Sequence, residues 1–162
     1  MKKTILVFFI VCVTVLSAKG QDTPIKDKPK LILSPGISYQ GQFLGEINLM
    51  YASQYIGHGG NAIWGPRVGI EANINKDRFI YAPKLGFELS GLLIAVRGNV
   101  VGYIDDKRLD LRLLSEAGIS LLGAVNLTYG YNLPVLNFKS LEIASHRIML
   151  TANVHREIWH AL

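Results

Sequence analysis

The sequence predicts an all-β chain, an eight-stranded antiparallel up-and-down transmembrane β-barrel with a polar, charge-paired interior. Three observations predict it. Apolar and polar residues alternate with a period of two along almost the whole chain, as they do on strands with one apolar and one polar face. Fifteen of the 16 glycines are scattered from Gly36 to Gly130, and each would cost a helix interior about 1 kcal/mol. The polar face consists mostly of Gly, Asn, Ser and Thr together with Arg and Glu, whereas Lys84 is the only lysine well inside an alternating run.

A chain of 162 residues fits one domain. Its 49% hydrophobic content excludes a disordered chain. The formal charge of +5 is not a nucleic-acid footprint: with Lys2, Lys3 and Lys19 set aside, 14 bases face 12 acids and the balance is +2. No nucleic-acid partner is expected.

Residues 1–20 have the layout of a secretory signal peptide. Lys2-Lys3 precede an apolar run from Ile5 to Leu16, and Ser17-Ala18-Lys19-Gly20 places small residues before a cut at Gln21. A dozen apolar residues fall short of the roughly 20 a spanning helix needs. The single cysteine, Cys12, lies inside this segment, so the mature chain is expected to hold neither a disulfide nor a thiolate metal site. Residues 21–30 read as a short polar lead, 31–155 as the barrel and 156–162 as a C-terminal tail.

The expected strands cover residues 32–40, 44–54, 63–74, 78–90, 93–104, 108–120, 124–133 and 144–154. On the third, Arg67, Gly69, Glu71 and Asn73 alternate with Val68, Ile70, Ala72 and Ile74. On the fourth, Lys84, Gly86, Glu88 and Ser90 alternate with Leu85, Phe87 and Leu89. Arg108, Asp110 and Arg112 open the sixth, Asn126, Thr128, Gly130 and Asn132 mark the seventh, and Arg147, Met149, Thr151 and Asn153 the eighth. Most run about ten residues, the length a tilted strand needs to cross hydrocarbon.

Turn signals fall at Asn75-Lys76-Asp77, Ser90-Gly91, Asp105-Asp106-Lys107 and Gly123, and a long connection is expected around Gly57-His58-Gly59-Gly60. The polar face is odd-numbered on the third strand and even-numbered on the fourth. An even loop reverses parity in this way, and the sixth and seventh strands, both even, need an odd loop such as Leu121 to Gly123.

Which face looks outward follows from the polar set. A solvated surface favours lysine, but a confined lumen favours Arg with Glu, because the guanidinium fork satisfies a carboxylate bidentately and an unpaired buried charge costs several kcal/mol. The expected lumen network is Glu46, Arg67, Glu71, Lys84, Glu88, Arg97, Asp110, Arg112, Glu116 and Arg147. A turn centred on Asp106-Lys107 would set Arg97 opposite Glu116. Gly65-Pro66-Arg67-Val68-Gly69-Ile70-Glu71 is echoed by Ala82-Pro83-Lys84-Leu85-Gly86-Phe87-Glu88. In both, glycine would make room for long charged side chains, and Pro66 and Pro83 belong at a bulge or strand start. Tyr51, Tyr55, Trp64, Phe79, Tyr81, Tyr103, Tyr129 and Tyr131 fall toward strand ends, as interfacial girdles do.

With its signal peptide, eight alternating strands, these two segments and the closing Asn126-Leu127-Thr128-Tyr129-Gly130-Tyr131-Asn132, the chain resembles the small outer-membrane β-barrel proteins of Gram-negative bacteria, the OmpA-like and OmpX-like group. The resemblance is architectural and covers nearly the whole mature chain. It implies a plugged eight-stranded barrel in the cell outer membrane, monomeric, with membrane lipids as its surroundings. The chain departs from that group in lacking a terminal aromatic residue and in its expected long connection between strands two and three.

Catalytic signals are sparse. Ser145-His146 and His155 have no orienting acid at a suitable spacing, and His146 falls on the outward parity. Gly57-His58-Gly59-Gly60 lacks the Lys-Ser/Thr of a phosphate loop, and four scattered histidines make no zinc pattern. No catalytic residue, metal ligand or cofactor is assigned. The expected role is structural or interactive, and an eight-stranded lumen is too narrow for a general porin. The alternatives are a soluble lipocalin-like binder in the periplasm and a lipid-modifying outer-membrane enzyme.

Overall fold

The computed structural model describes residues 28–57, 60–73, 79–105, 108–135 and 143–160. The expected signal peptide and most of the polar lead lie outside the described residues. Eight strands follow one another: β1 (Lys30–Tyr39), β2 (Phe43–Gly57), β3 (Gly60–Asn73), β4 (Tyr81–Gly91), β5 (Ile94–Asp105), β6 (Arg108–Leu121), β7 (Val125–Pro134) and β8 (His146–Ala152), with a short helix α1 (Arg156–His160) after them. Each pairs antiparallel with its sequence neighbour, and β1 pairs with β8, so the sheet closes into an up-and-down barrel.

Closure fixes the tilt. Walking from partner to partner round the wall, Ser38 leads through Met149, Thr128, Gly118, Ala95, Ser90 and Ile63 to Gln54. Gln54 stands level with Lys28 when the β1–β2 register is continued, so the walk returns to β1 a shear of ten residues from its start, 38 against 28. At roughly 3.3 Å per residue and roughly 4.8 Å between strands, that offset over eight strands tilts them by about 40°.

The two ends differ. One, the terminal end, carries the start of β1, α1 and three short connections: two residues between β2 and β3, Leu92-Leu93 between β4 and β5, and Leu122-Gly123-Ala124 between β6 and β7. The other, the loop end, carries Gln40-Gly41-Gln42, residues 74–80, Asp106-Lys107 and residues 135–145. In the connections of two and three residues the even and odd lengths are those the parity requires. Leu92 (φ 52) and Leu122 (φ 49) sit in the left-handed region in these tight turns, and Gly123 (φ 79) takes the second position of its loop without a Cβ penalty.

Three expectations need correction. The connection around His58 is not long: β2 runs on to Gly57 and β3 starts at Gly60, paired with each other, leaving a two-residue hairpin loop. Ser90-Gly91 is not a turn; both residues stay in β4 and the chain reverses at the apolar pair Leu92-Leu93. Pro66 is at neither a bulge nor a strand start. It stands mid-strand where the β2–β3 ladder skips two pairs, between Met50↔Arg67 and Ser53↔Trp64, with the register unchanged across the gap. Pro83 stands at a similar gap between Tyr81↔Ile104 and Lys84↔Val101, and Pro35 at one between the Gly36↔Thr151 pair and the Leu33–Val154 bridge. A proline has no N–H to donate, and a skipped pair accommodates that without shifting every side chain to the other face.

Candidate functional site

The interior is where the chain concentrates its chemistry. Alternation sends even residues of β1, β2, β4, β6 and β7 and odd residues of β3, β5 and β8 inward. All ten expected lumen residues, Glu46, Arg67, Glu71, Lys84, Glu88, Arg97, Asp110, Arg112, Glu116 and Arg147, point into the barrel, and none is more than 4% exposed. The outward partners are the reverse: Val68 is 55% and Ile70 50% exposed.

Five bases face five acids, and they divide into three groups. Arg147 is the hub of the first: it lies 2.8 Å from Glu46, 2.7 Å from Glu71 and 3.6 Å from Glu116. Lys84 joins the same two carboxylates, contacting Glu46 closely and Glu71 at 3.4 Å. In the second group Glu88 takes Arg67 at 2.7 Å and Arg97 at 2.9 Å, and also accepts from Ser90 at 3.0 Å and Asn126 at 3.1 Å. Arg67 reaches Glu46 at 3.5 Å and so links the two. The third is a separate pair, Arg112 with Asp110 at 2.8 Å, nearer the loop end.

Register and ion pairing coincide only in part. Arg97 has two register partners, Glu116 on β6, as the Asp106-Lys107 turn requires, and Glu88 on β4, and its guanidinium takes Glu88. Glu116 is held by Asn99 at 3.1 Å and by Arg147. Side chains of this length reach across a narrow lumen, so the pairing partner is set by packing in the cylinder as well as by the ladder.

Glycine makes the room. A Cβ on Gly130 would stand 2.8 Å from Glu116 Cγ, and one on Gly36 3.2 Å from Glu46 Cγ. Gly69 and Gly86, the glycines of the echoed segments, leave space filled by the side-chain amides of Asn48 and Asn99.

Apolar plugs close both ends of this network, and these were missed in the sequence. At the terminal end Ile32, Met50, Ala52, Ile63, Ala124 and Ile158 form one buried cluster. Ile158 belongs to α1, so the expected tail is a cap: Trp159 Nε1 donates to the Asn153 carbonyl at 2.9 Å, and Lys30 pairs with Glu157. At the loop end Leu44, Ile80, Ala82, Val101, Tyr103, Leu114 and Ile143 form the second cluster. Gln40, Tyr103 and Asn132 are hydrogen-bonded across it, and Arg112 donates to the Ile143 carbonyl at 3.0 Å. The signal for these plugs is present where alternation fails, in the doubled apolar residues Leu49-Met50, Val100-Val101 and Leu113-Leu114, whose second members turn inward.

Other flagged positions are dispersed. His146 lies on the outer wall. Asn126 is fully buried. His58 lies outside the described residues. Among the described residues no group of three His, Cys, Asp or Glu is placed to hold a metal ion. The arrangement is chemically a lock: each carboxylate is matched to bases at fixed distances, with the ends sealed. No protein-family model, curated protein or solved structure matches the chain.

Proposed function

We propose that this chain is an integral outer-membrane β-barrel with a structural or interaction role and no general porin activity, of the same architecture as the small barrels it resembles. The observation that carries the reading is the inverted dressing of the cylinder: ion pairs inside, and an outer wall of Leu, Ile, Val, Phe and Tyr. In water such a wall would be an exposed apolar surface far larger than the few hundred Å² that monomers tolerate, whereas acyl chains are its natural surroundings.

Dimensions support the same reading. Phe43 at the loop end and Tyr51 toward the terminal end are both exposed on β2. Eight residues tilted at about 40° set them about 20 Å apart along the axis, close to the roughly 25 Å apolar band between aromatic girdles. Tyr39, Phe79, Tyr81 and Tyr131 lie with Phe43, and Trp64 and Trp159 with Tyr51. Short turns at one end and longer loops at the other suit periplasmic and external sides respectively. The absence of porin activity is supported by the filled lumen, since ions would have to displace paired charges and two apolar plugs. A lipocalin-like binder would need an apolar cavity inside and a polar coat outside.

Two measurements on the refolded chain test the proposal. It is expected to float with phospholipid vesicles and to migrate differently on a semi-native gel before and after boiling. A chain that stays in the aqueous fraction, folded, would instead be the soluble barrel.

A further inference from the structure

Between its rims the outer wall carries little polar chemistry. Over the described outward positions of the strands, the polar side chains other than tyrosine are Ser53, Ser115 and His146. His146 is therefore the sole base on that wall among the described residues, and it does not stand alone. Its Nδ1 is hydrogen-bonded to the Tyr129 hydroxyl. The Tyr129 ring lies 5.9 Å away and Tyr131 stands edge-on at 5.1 Å. The β7–β8 register makes Tyr131 the cross-strand partner of His146.

From this cluster, and resting on the membrane reading above, we propose that Tyr129, Tyr131 and His146 form a site for the phosphate of a membrane-lipid headgroup. When the Tyr129 hydroxyl donates to Nδ1, the neutral imidazole carries its proton on Nε2 and presents an N–H outward beside the Tyr131 phenol. Outward N–H and O–H donors suit a phosphate oxyanion, and among the described outward positions of the strands there is no carboxylate to compete with one. The level is also right. His146 opens β8 at the loop end, the end at which Tyr39, Phe43 and Tyr81 are exposed, and such aromatic belts lie where headgroups meet acyl chains. A free phosphate is disfavoured, because the exposed Ile148 and Leu150 below the cluster provide acyl-chain contact for the remainder of a lipid.

The test is native mass spectrometry of the full chain, folded in a non-ionic detergent and titrated in separate arms with dihexanoyl phosphatidic acid, dihexanoyl glycerol and inorganic phosphate. Wild type is expected to retain phosphatidic acid about tenfold better than the glycerol lipid, the scale of one hydrogen bond to a charged group. His146→Leu should abolish that preference and Tyr129→Phe reduce it, with the heat-induced gel shift confirming that each variant is folded. Should His146→Leu not fold, His146→Gln, which keeps a donor without the ring, takes its place and should weaken the preference. Equal retention of the two lipids by wild type, an unchanged preference in folded variants, or equally good binding of inorganic phosphate overturns the headgroup site. Vesicle flotation separates this from the wider reading: a chain that floats without the preference loses only this site, and one that does not float loses both.

Discussion

At the scale of single residues the lumen turns on Arg147. Its guanidinium reaches three carboxylates, so Arg147→Met leaves Glu46 to Lys84 and Arg67, Glu71 to Lys84, and Glu116 to Asn99. Breaking a buried pair by removing one partner costs about 3–5 kcal/mol. The urea midpoint of the folded form should fall accordingly. Arg108→Ala is the contrast: that side chain is 48% exposed and pairs with Asp105 at 3.1 Å, so solvent screening holds its loss below about 1 kcal/mol. Glycines divide in the same way. Gly130→Ala would push a methyl to 2.8 Å from Glu116 Cγ and 3.0 Å from Leu114 Cδ1, an overpacking cost of about 1–3 kcal/mol. Gly98→Ala meets nothing within 4 Å and should be neutral or slightly stabilising. Equal midpoints for the two variants would contradict the view that glycine is there to admit the charged side chains.

Elements differ in how firmly they are held. The seam between β1 and β8 has four register pairs and one isolated bridge, interrupted at Pro35, against 12 pairs between β5 and β6. Amide hydrogen exchange in detergent should therefore open the seam first and β5–β6 last, because local opening follows local pairing; uniform protection round the wall would contradict this. Helix α1 is held by Ile158 in its socket and by few polar contacts. Ile158→Asp should release it, exposing the Arg156 peptide bond to trypsin while the heat-induced gel shift of the barrel persists. Full protection of that bond would mean the cap is held by something other than its apolar anchor. The strands themselves were readable to within a few residues, since alternation reports each face directly. What alternation could not report was α1. A five-residue helix anchored by Ile158 makes no periodic pattern, and the socket that Ile158 fills is assembled from β1, β2, β3 and the β6–β7 loop.

For the whole molecule, the legible part was the orientation and the illegible part was the pairing. That Arg67, Glu88, Arg97 and Glu116 share an interior follows from parity alone, because a one-residue slip would turn every one of them outward. That Arg97, whose register partners are both Glu88 and Glu116, takes Glu88 does not follow, since the choice depends on how long side chains pack in a cylinder. The apolar plugs fall between these cases: Leu114 and Met50 sit on the polar parity, and pattern reading assigned that parity to polar groups. Their place at the two ends encloses the charges in a low-dielectric core, where each pair is stronger and each broken pair more costly. The central claim is that the apolar wall faces acyl chains. Spin labels placed one at a time at Val68, Val100, Leu113 and Leu150 of the vesicle-reconstituted chain test it most directly, read by their collisions with oxygen and with a water-soluble nickel complex. All four should be rich in oxygen collisions and shielded from nickel; labels that meet nickel as freely as an exposed loop does would contradict the account.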